Sequence, residues 1–148
     1  MSGAQNQSLP PLAFTFGLGG LLAFPLAVRA STVLLERTSP TGLLDAIAQT
    51  RSTIAFTAPT FYRQMAAAVA AKPTGFDTSP LRVTVSAGEA LPEATRLAWH
   101  DATGLEMLDG IGATEMIHIF IATPADARAG TVGTVVPGRP GTFGATVT

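Results

Sequence analysis

An α/β fold of layered βαβ units around a mainly parallel sheet is what this sequence predicts, and three observations predict it. Short runs of β-branched and aromatic residues switch repeatedly to longer stretches whose apolar residues recur at helical spacing. The helical stretches tend to open near a proline and to close near a glycine. Hydrophobic residues make up 47% of the chain and charged residues 13%, a balance that excludes disorder and requires a buried core. With 148 residues, no internal repeat and no low-complexity linker, one domain over residues 1–148 is expected.

The elements are justified in order along the chain. Residues 12–16 read as a strand or an extended approach to a glycine turn, followed by a short buried helix over 21–28. Residues 31–36, with Thr32, Val33, Leu34 and Leu35, make the next strand. Ser39-Pro40 supplies an N-cap and a first-turn proline for a helix through Gln49, in which Leu43, Leu44, Ile47 and Ala48 share a face. Residues 53–57 form a strand. Pro59 opens a helix to about Ala71 whose Phe61, Met65, Ala68 and Val69 fall at i, i+4, i+7 and i+8. Residues 81–86 are a strand, Pro92 begins a helix to about Thr103, and Gly104 stops it. A strand over 105–108 runs into a glycine-rich stretch, 114–121 is strand-like, and 131–136 is a last strand. Residues 1–8 and 139–148 are expected to be irregular. Phe14, Phe61 and Tyr62 are assigned to the core, and His100, beside Asp101 on a polar helix face, to solvent.

Strands followed by helices favour parallel pairing, and ligands of such sheets bind beyond the carboxyl ends of the strands. Several function classes fall away on composition. A net charge of −1, with no run of Lys or Arg, gives neither a basic field for nucleic acid nor a polybasic membrane anchor. The absence of cysteine rules out disulfides and thiolate metal ligands and fits a reducing compartment, so a cytoplasmic location is expected. Residues 1–28 carry no charge and 12–28 are almost wholly apolar, the one stretch that could be a signal peptide or membrane span. No Lys or Arg precedes it, Gly17, Gly19, Gly20 and Pro25 interrupt it, and it is shorter than the ~20 residues a spanning helix needs.

Two glycine-containing motifs sit at strand ends. Asp109-Gly-Ile-Gly-Ala-Thr-Glu115 pairs glycines with a hydroxyl and a carboxylate. Gly110 and Gly112 permit left-handed backbone angles and close approach of a ring or anion. Thr114 can donate to a phosphate oxygen, and Glu115 is a hard oxygen ligand of the kind magnesium takes beside substrate phosphates. Ser86-Ala-Gly-Glu-Ala-Leu91 closes an earlier strand, so folding can bring both to one rim although more than twenty positions separate them. Ser86, Asp109 and His118 also fall in the order of a hydrolase triad, but Gly-x-Ser-x-Gly is missing.

Two further segments, Leu12-Ala-Phe-Thr-Phe-Gly-Leu-Gly19 and Thr57-Ala-Pro-Thr-Phe-Tyr-Arg63, precede these motifs. In that order, the set resembles the adenylate-forming acyl-CoA synthetases, and within them the benzoate and 2-aminobenzoate (anthranilate) CoA ligases. The resemblance runs from about residue 9 to residue 138. It implies part of the N-terminal domain of that fold, and an activity in which an aryl carboxylic acid and ATP give acyl-AMP, whose acyl group then passes to coenzyme A. Thr114 would contact the α-phosphate and Glu115 would hold Mg2+. Ser86, Ala87, Gly88 and Glu89, with Asp109, Gly110, Ile111 and Gly112, would frame the adenine, Ile111 standing where many relatives carry an aromatic residue. Thr15, Phe16, Gly112, His118 and Ile119 would form the acyl pocket, and Thr15-Phe16 in place of Ala-Tyr favours a ring with a polar substituent. The resemblance also implies features this sequence lacks: a phosphate loop upstream, a ribose-binding aspartate downstream, and a C-terminal domain bearing the adenylation lysine. Inactivity of the chain alone, self-association through uncovered strand edges, and the alternative of a non-catalytic binding module are the corresponding expectations.

Overall fold

In the computed structural model, which describes residues 5–8, 12–36, 39–122 and 133–135, one seven-stranded sheet organises the chain in the order β2-β1-β3-β4-β5-β6-β7. Its strands are β1 (Gln5–Ser8), β2 (Ser31–Val33), β3 (Ile54–Thr57), β4 (Val83–Ala87), β5 (Met107–Gly112), β6 (Ile119–Ala122) and β7 (Thr134–Val135). The pairings from β2 to β5 are parallel, and those of β5 with β6 and β6 with β7 are antiparallel. The mainly parallel α/β sheet expected from the sequence is therefore present.

Helices α3 (Pro40–Thr50), α4 (Pro59–Ala71) and α5 (Glu93–Thr103) form one layer. Residues read from the sequence mark the start of α3 and the end of α5. Ser39 Oγ accepts a hydrogen bond from the Gly42 amide at 3.0 Å, and Pro40 takes the first turn of α3. Gly104 closes α5 at φ 73, a left-handed position that glycine adopts without penalty. Leu43, Leu44 and Ile47 of α3 meet Tyr62, Met65 and Val69 of α4 and Trp99 of α5 over Ala55 and Met107 of the sheet. Tyr62 lies edge-on to Trp99 at 5.0 Å and sends its hydroxyl to the carbonyls of Ala55 and Val85, which ties α4 to two strands.

The other face carries α1 (Thr15–Leu18), a π-helical turn (Gly19–Ala23) and α2 (Phe24–Ala27). Alternation along β3 explains the division: Ala55 belongs to the α3–α5 core, while Phe56, the next residue, meets Gly20 and the ring of Phe16.

The structure corrects several sequence-based expectations. Gln5–Ser8, assigned to an irregular end, is β1, an interior strand whose partners are β2 and β3. Residues 12–16 are not a strand; a turn there leads into α1. Most of the apolar helix at 21–28 is exposed rather than buried, with Leu22, Phe24, Leu26 and Val28 all open to solvent. Strand β5 does not stop at Leu108 but continues through Gly110 and Gly112, and the stretch expected to be strand-like from residue 114 opens with a 3-10 turn (Thr114–Met116) before β6. Residues 139–148 lie outside those described.

Candidate functional site

The strand order reverses at β1, because the chain passes from β1 out to β2 and returns to β3 on β1's other side. Such a reversal leaves a crevice at the carboxyl ends of the strands. A cavity of about 450 Å³ opens there, a volume typical of small-molecule sites.

Four distant stretches wall it, three of them expected from the sequence and the fourth at Thr57, Ala58 and Phe61. From the segment after β1 come Phe14, Thr15 and Phe16; from the end of β4 come Ala87, Gly88 and Glu89; from β5 onward come Gly112, Ala113, Thr114, His118 and Ile119. The two glycine motifs are brought together by strand register, since Ser86 stands opposite Asp109 and Ala87 opposite Gly110 in the parallel β4–β5 pair. At Gly88, φ is 91, and the chain turns out of β4 there. Glu89 then reaches across to α4, where Thr60 Oγ1 donates to its Oε2 at 2.8 Å.

The remaining residues expected in the site lie around this cavity rather than in its wall. Ser86 is wholly buried in the sheet layer, which denies a nucleophile access to substrate and removes the hydrolase triad. The pKa of the Asp109 carboxyl is raised above its ordinary value, chiefly by burial. Glu115 and Ile111 are exposed. Gly110 and Gly112 have no left-handed angle; only close approach requires them. A β-carbon on Gly110 would come within 2.6 Å of the Ile119 side chain, and one on Gly112 within 3.1 Å of the His118 carbonyl oxygen.

His118 is buried in an aromatic box. The ring centroids of Phe24, Phe16 and Phe56 lie 4.6, 5.2 and 6.0 Å from its own. Its Nε2 is 3.2 Å from the Phe16 carbonyl oxygen. A carbonyl only accepts, so Nε2 carries the proton and donates. Contact between this ring and a ligand falls to its other atoms.

Sequence reasoning missed part of the wall. Phe14 and Phe61, assigned to the core, line the cavity with Thr57 and Ala58, whereas Tyr62 is core as expected. The usable signal was position: Thr57-Ala-Pro-Thr-Phe61 follows a strand end, as both glycine motifs do. His100 is solvent-exposed, 3.7 Å from both Asp101 and Glu106.

The sequence and fold are similar to those of one family of enzymes. The family model for AMP-binding enzymes matches residues 6–140. A benzoate–CoA ligase of Thauera aromatica is 42% identical over 133 residues, which is 88% of this chain and 25% of that protein. An anthranilate–CoA ligase of Pseudomonas aeruginosa is 35% identical over 140 residues, 93% of this chain and 26% of the relative. The crystal structure of an anthranilate CoA ligase in complex with anthranoyl-AMP superimposes with a TM-score of 0.81 at 45% identity, covering 93% of this chain and 27% of that one. A benzoate CoA ligase from Burkholderia xenovorans LB400 gives the same TM-score at 36% identity. The chain thus spans about a quarter of the length of these relatives. On sequence and fold alike, it belongs to the AMP-binding enzyme family.

Proposed function

We propose that this chain supplies the adenine slot and acyl pocket of an ATP-dependent, AMP-forming aryl-acid CoA ligase. The observation that carries the reading is one cavity walled by Thr15 and Phe16, by Ala87 to Glu89, and by Gly112 to Thr114 with His118 and Ile119, stretches far apart in sequence that meet at strand ends. The adenine is framed by the backbone of β5 and of Ala87 to Glu89, with Ile111 covering its face. The aryl ring lies between Phe16 and Ile119, in the space that Gly112 leaves. Thr15 beside Phe16 favours a ring with a polar substituent, 2-aminobenzoate being the favoured acid.

Thr114, on the cavity wall, donates its hydroxyl to an α-phosphate oxygen. Exposed Glu115 offers a carboxylate for magnesium. Among the described residues no group of three or more His, Cys, Asp or Glu side chains could hold a metal alone, so the donor set fits an ion held by one carboxylate together with substrate phosphates. When bound, the ion offsets charge as a carboxylate oxygen attacks phosphorus. Coenzyme A then accepts the acyl group. Adenylation by this chain alone is expected to remain at background.

Calorimetric titration with a hydrolysis-resistant anthranoyl-AMP analogue tests the reading. Weak but saturable binding is expected, and it should vanish in Gly112→Trp, with urea denaturation of that variant separating loss of the pocket from loss of the fold. Failure of the unsubstituted chain to saturate at millimolar analogue would overturn it. Steady turnover of ATP, 2-aminobenzoate and coenzyme A by the chain alone would contradict the expected inactivity.

A further inference from the structure

The turn that carries Thr114 and Glu115 ends at Ile117, whose φ is 68 and ψ −29. A β-branched residue in the left-handed region is strained, and Ile117 is 55% exposed, so little burial of its own offsets the strain. The local hydrogen bonds are modest: the amides of Met116 and Ile117 meet the carbonyls of Ala113 and Thr114 at 3.1 Å each. Something beyond the turn must hold it.

His118, the next residue, is 4% exposed and sits where the chain has made room. A β-carbon on Gly19 would fall inside contact distance of His118 Cδ2, 3.0 Å from Cγ and 3.3 Å from Cβ. The ring cannot swing aside, because Phe16, Phe24 and Phe56 flank it and its Nε2 donates to the Phe16 carbonyl. Gly19 is also the first residue of the π-helical turn, a widened helix geometry that recurs at functional sites. The His118 carbonyl oxygen also lies near Gly112, where an added β-carbon would stand 3.1 Å from it.

We propose that Gly19 is a positioning residue: by admitting the His118 ring, it anchors the strained turn and so fixes Thr114 and Glu115 at the cavity rim. What the turn then holds rests on the ligase reading above. The anchoring itself does not, and the two can fail separately.

The experiment uses the full 148-residue chain as Gly19→Ala, His118→Ala and the double variant, each followed by urea denaturation and by amide hydrogen exchange at Met116 and Ile117. Gly19→Ala is expected to lower the urea midpoint and to speed exchange at those two amides by about ten-fold, with amides of α4 and α5 far less affected. His118→Ala should give the same local acceleration. The double variant should be no less stable than His118→Ala, because the added methyl enters the space vacated by the ring. If Gly19→Ala does not fold, recovery of folding in the double variant supports the proposal. Additive losses, a double variant that stays unfolded while His118→Ala folds, or unchanged exchange at Met116 and Ile117 in folded Gly19→Ala would overturn it. Analogue binding measured on the same proteins separates the two readings. Loss in Gly19→Ala without recovery in the double variant supports positioning of the rim, and absent binding in the unsubstituted chain overturns only the ligase reading.

Discussion

The α3–α5 face of the sheet closes over its own side chains, whereas the α1–α2 face leaves large apolar residues in water and borders the cavity. Trp99, Tyr62, Leu43, Leu44, Ile47 and Met65 are all 0% exposed on the first. On the second, Leu26 is 68% and Val28 71% exposed. The contrast separates a face closed by its own packing from one left open beside the cavity, which Phe61 of α4 also reaches. The closed face supplies burial and can be damaged only through packing. The open face contributes less to stability, carries the aromatic box around His118, and presents an apolar surface to whatever covers it.

Trp99→Ala should break the closed face most severely, lowering stability by about 3–5 kcal/mol in urea denaturation followed by circular dichroism. A loss below about 1 kcal/mol would mean that the core is less tightly packed than its burial implies. Tyr62→Phe should cost about 1–2 kcal/mol, because it strips the donor from the carbonyls of Ala55 and Val85. The open face is expected to respond differently. Leu26→Ser combined with Val28→Ser should change stability by no more than about 0.5 kcal/mol while reducing self-association by light scattering. A large stability loss there would erase the distinction between the faces.

The smallest expected effect concerns pH. Because burial raises the Asp109 pKa, its contribution to stability is fully present below the unfolded carboxylate pKa and is lost as pH rises through the folded one. Asp77 and Glu93 are shifted the opposite way, lowered first by hydrogen bonding from Ser79 and from Arg96, so the whole-protein profile mixes signs. The difference between the unsubstituted chain and Asp109→Asn isolates the group. The stability of the unsubstituted chain minus that of Asp109→Asn should fall as pH rises through and above the ordinary carboxylate range, and a difference that rises instead would reverse the assigned cause.

Local chemistry made the helical half of this fold legible. Ser39-Pro40, Pro59, Pro92 and Gly104 act within one turn of themselves, so α3, α4 and α5 begin and end close to where the sequence places them. What was illegible depends on tertiary partners. Gln5–Ser8 has no apolar alternation, yet it becomes an interior strand because β2 and β3 supply hydrogen bonds on both sides. Missing β1 concealed the reversal of strand order, and with it the place of Phe14, Thr57 and Phe61 in the cavity. In the candidate site, the meeting of the two glycine motifs could be foreseen from strand ends alone. The glycines' purpose could not: at Gly110 and Gly112 the reason is a neighbour arriving from β6 and the turn before it, a contact that spacing along the chain does not reveal.

Amide chemical-shift mapping during titration with the anthranoyl-AMP analogue tests most directly whether the two motif corners act as one site. Saturable shifts should cluster at Phe16, Ala87 to Glu89, Gly112 to Thr114 and His118, and leave α3 and the far ends of α4 and α5 unmoved. Shifts confined to one motif, or concentrated on the exposed α2 surface, would contradict a joint nucleotide and aryl-acid site.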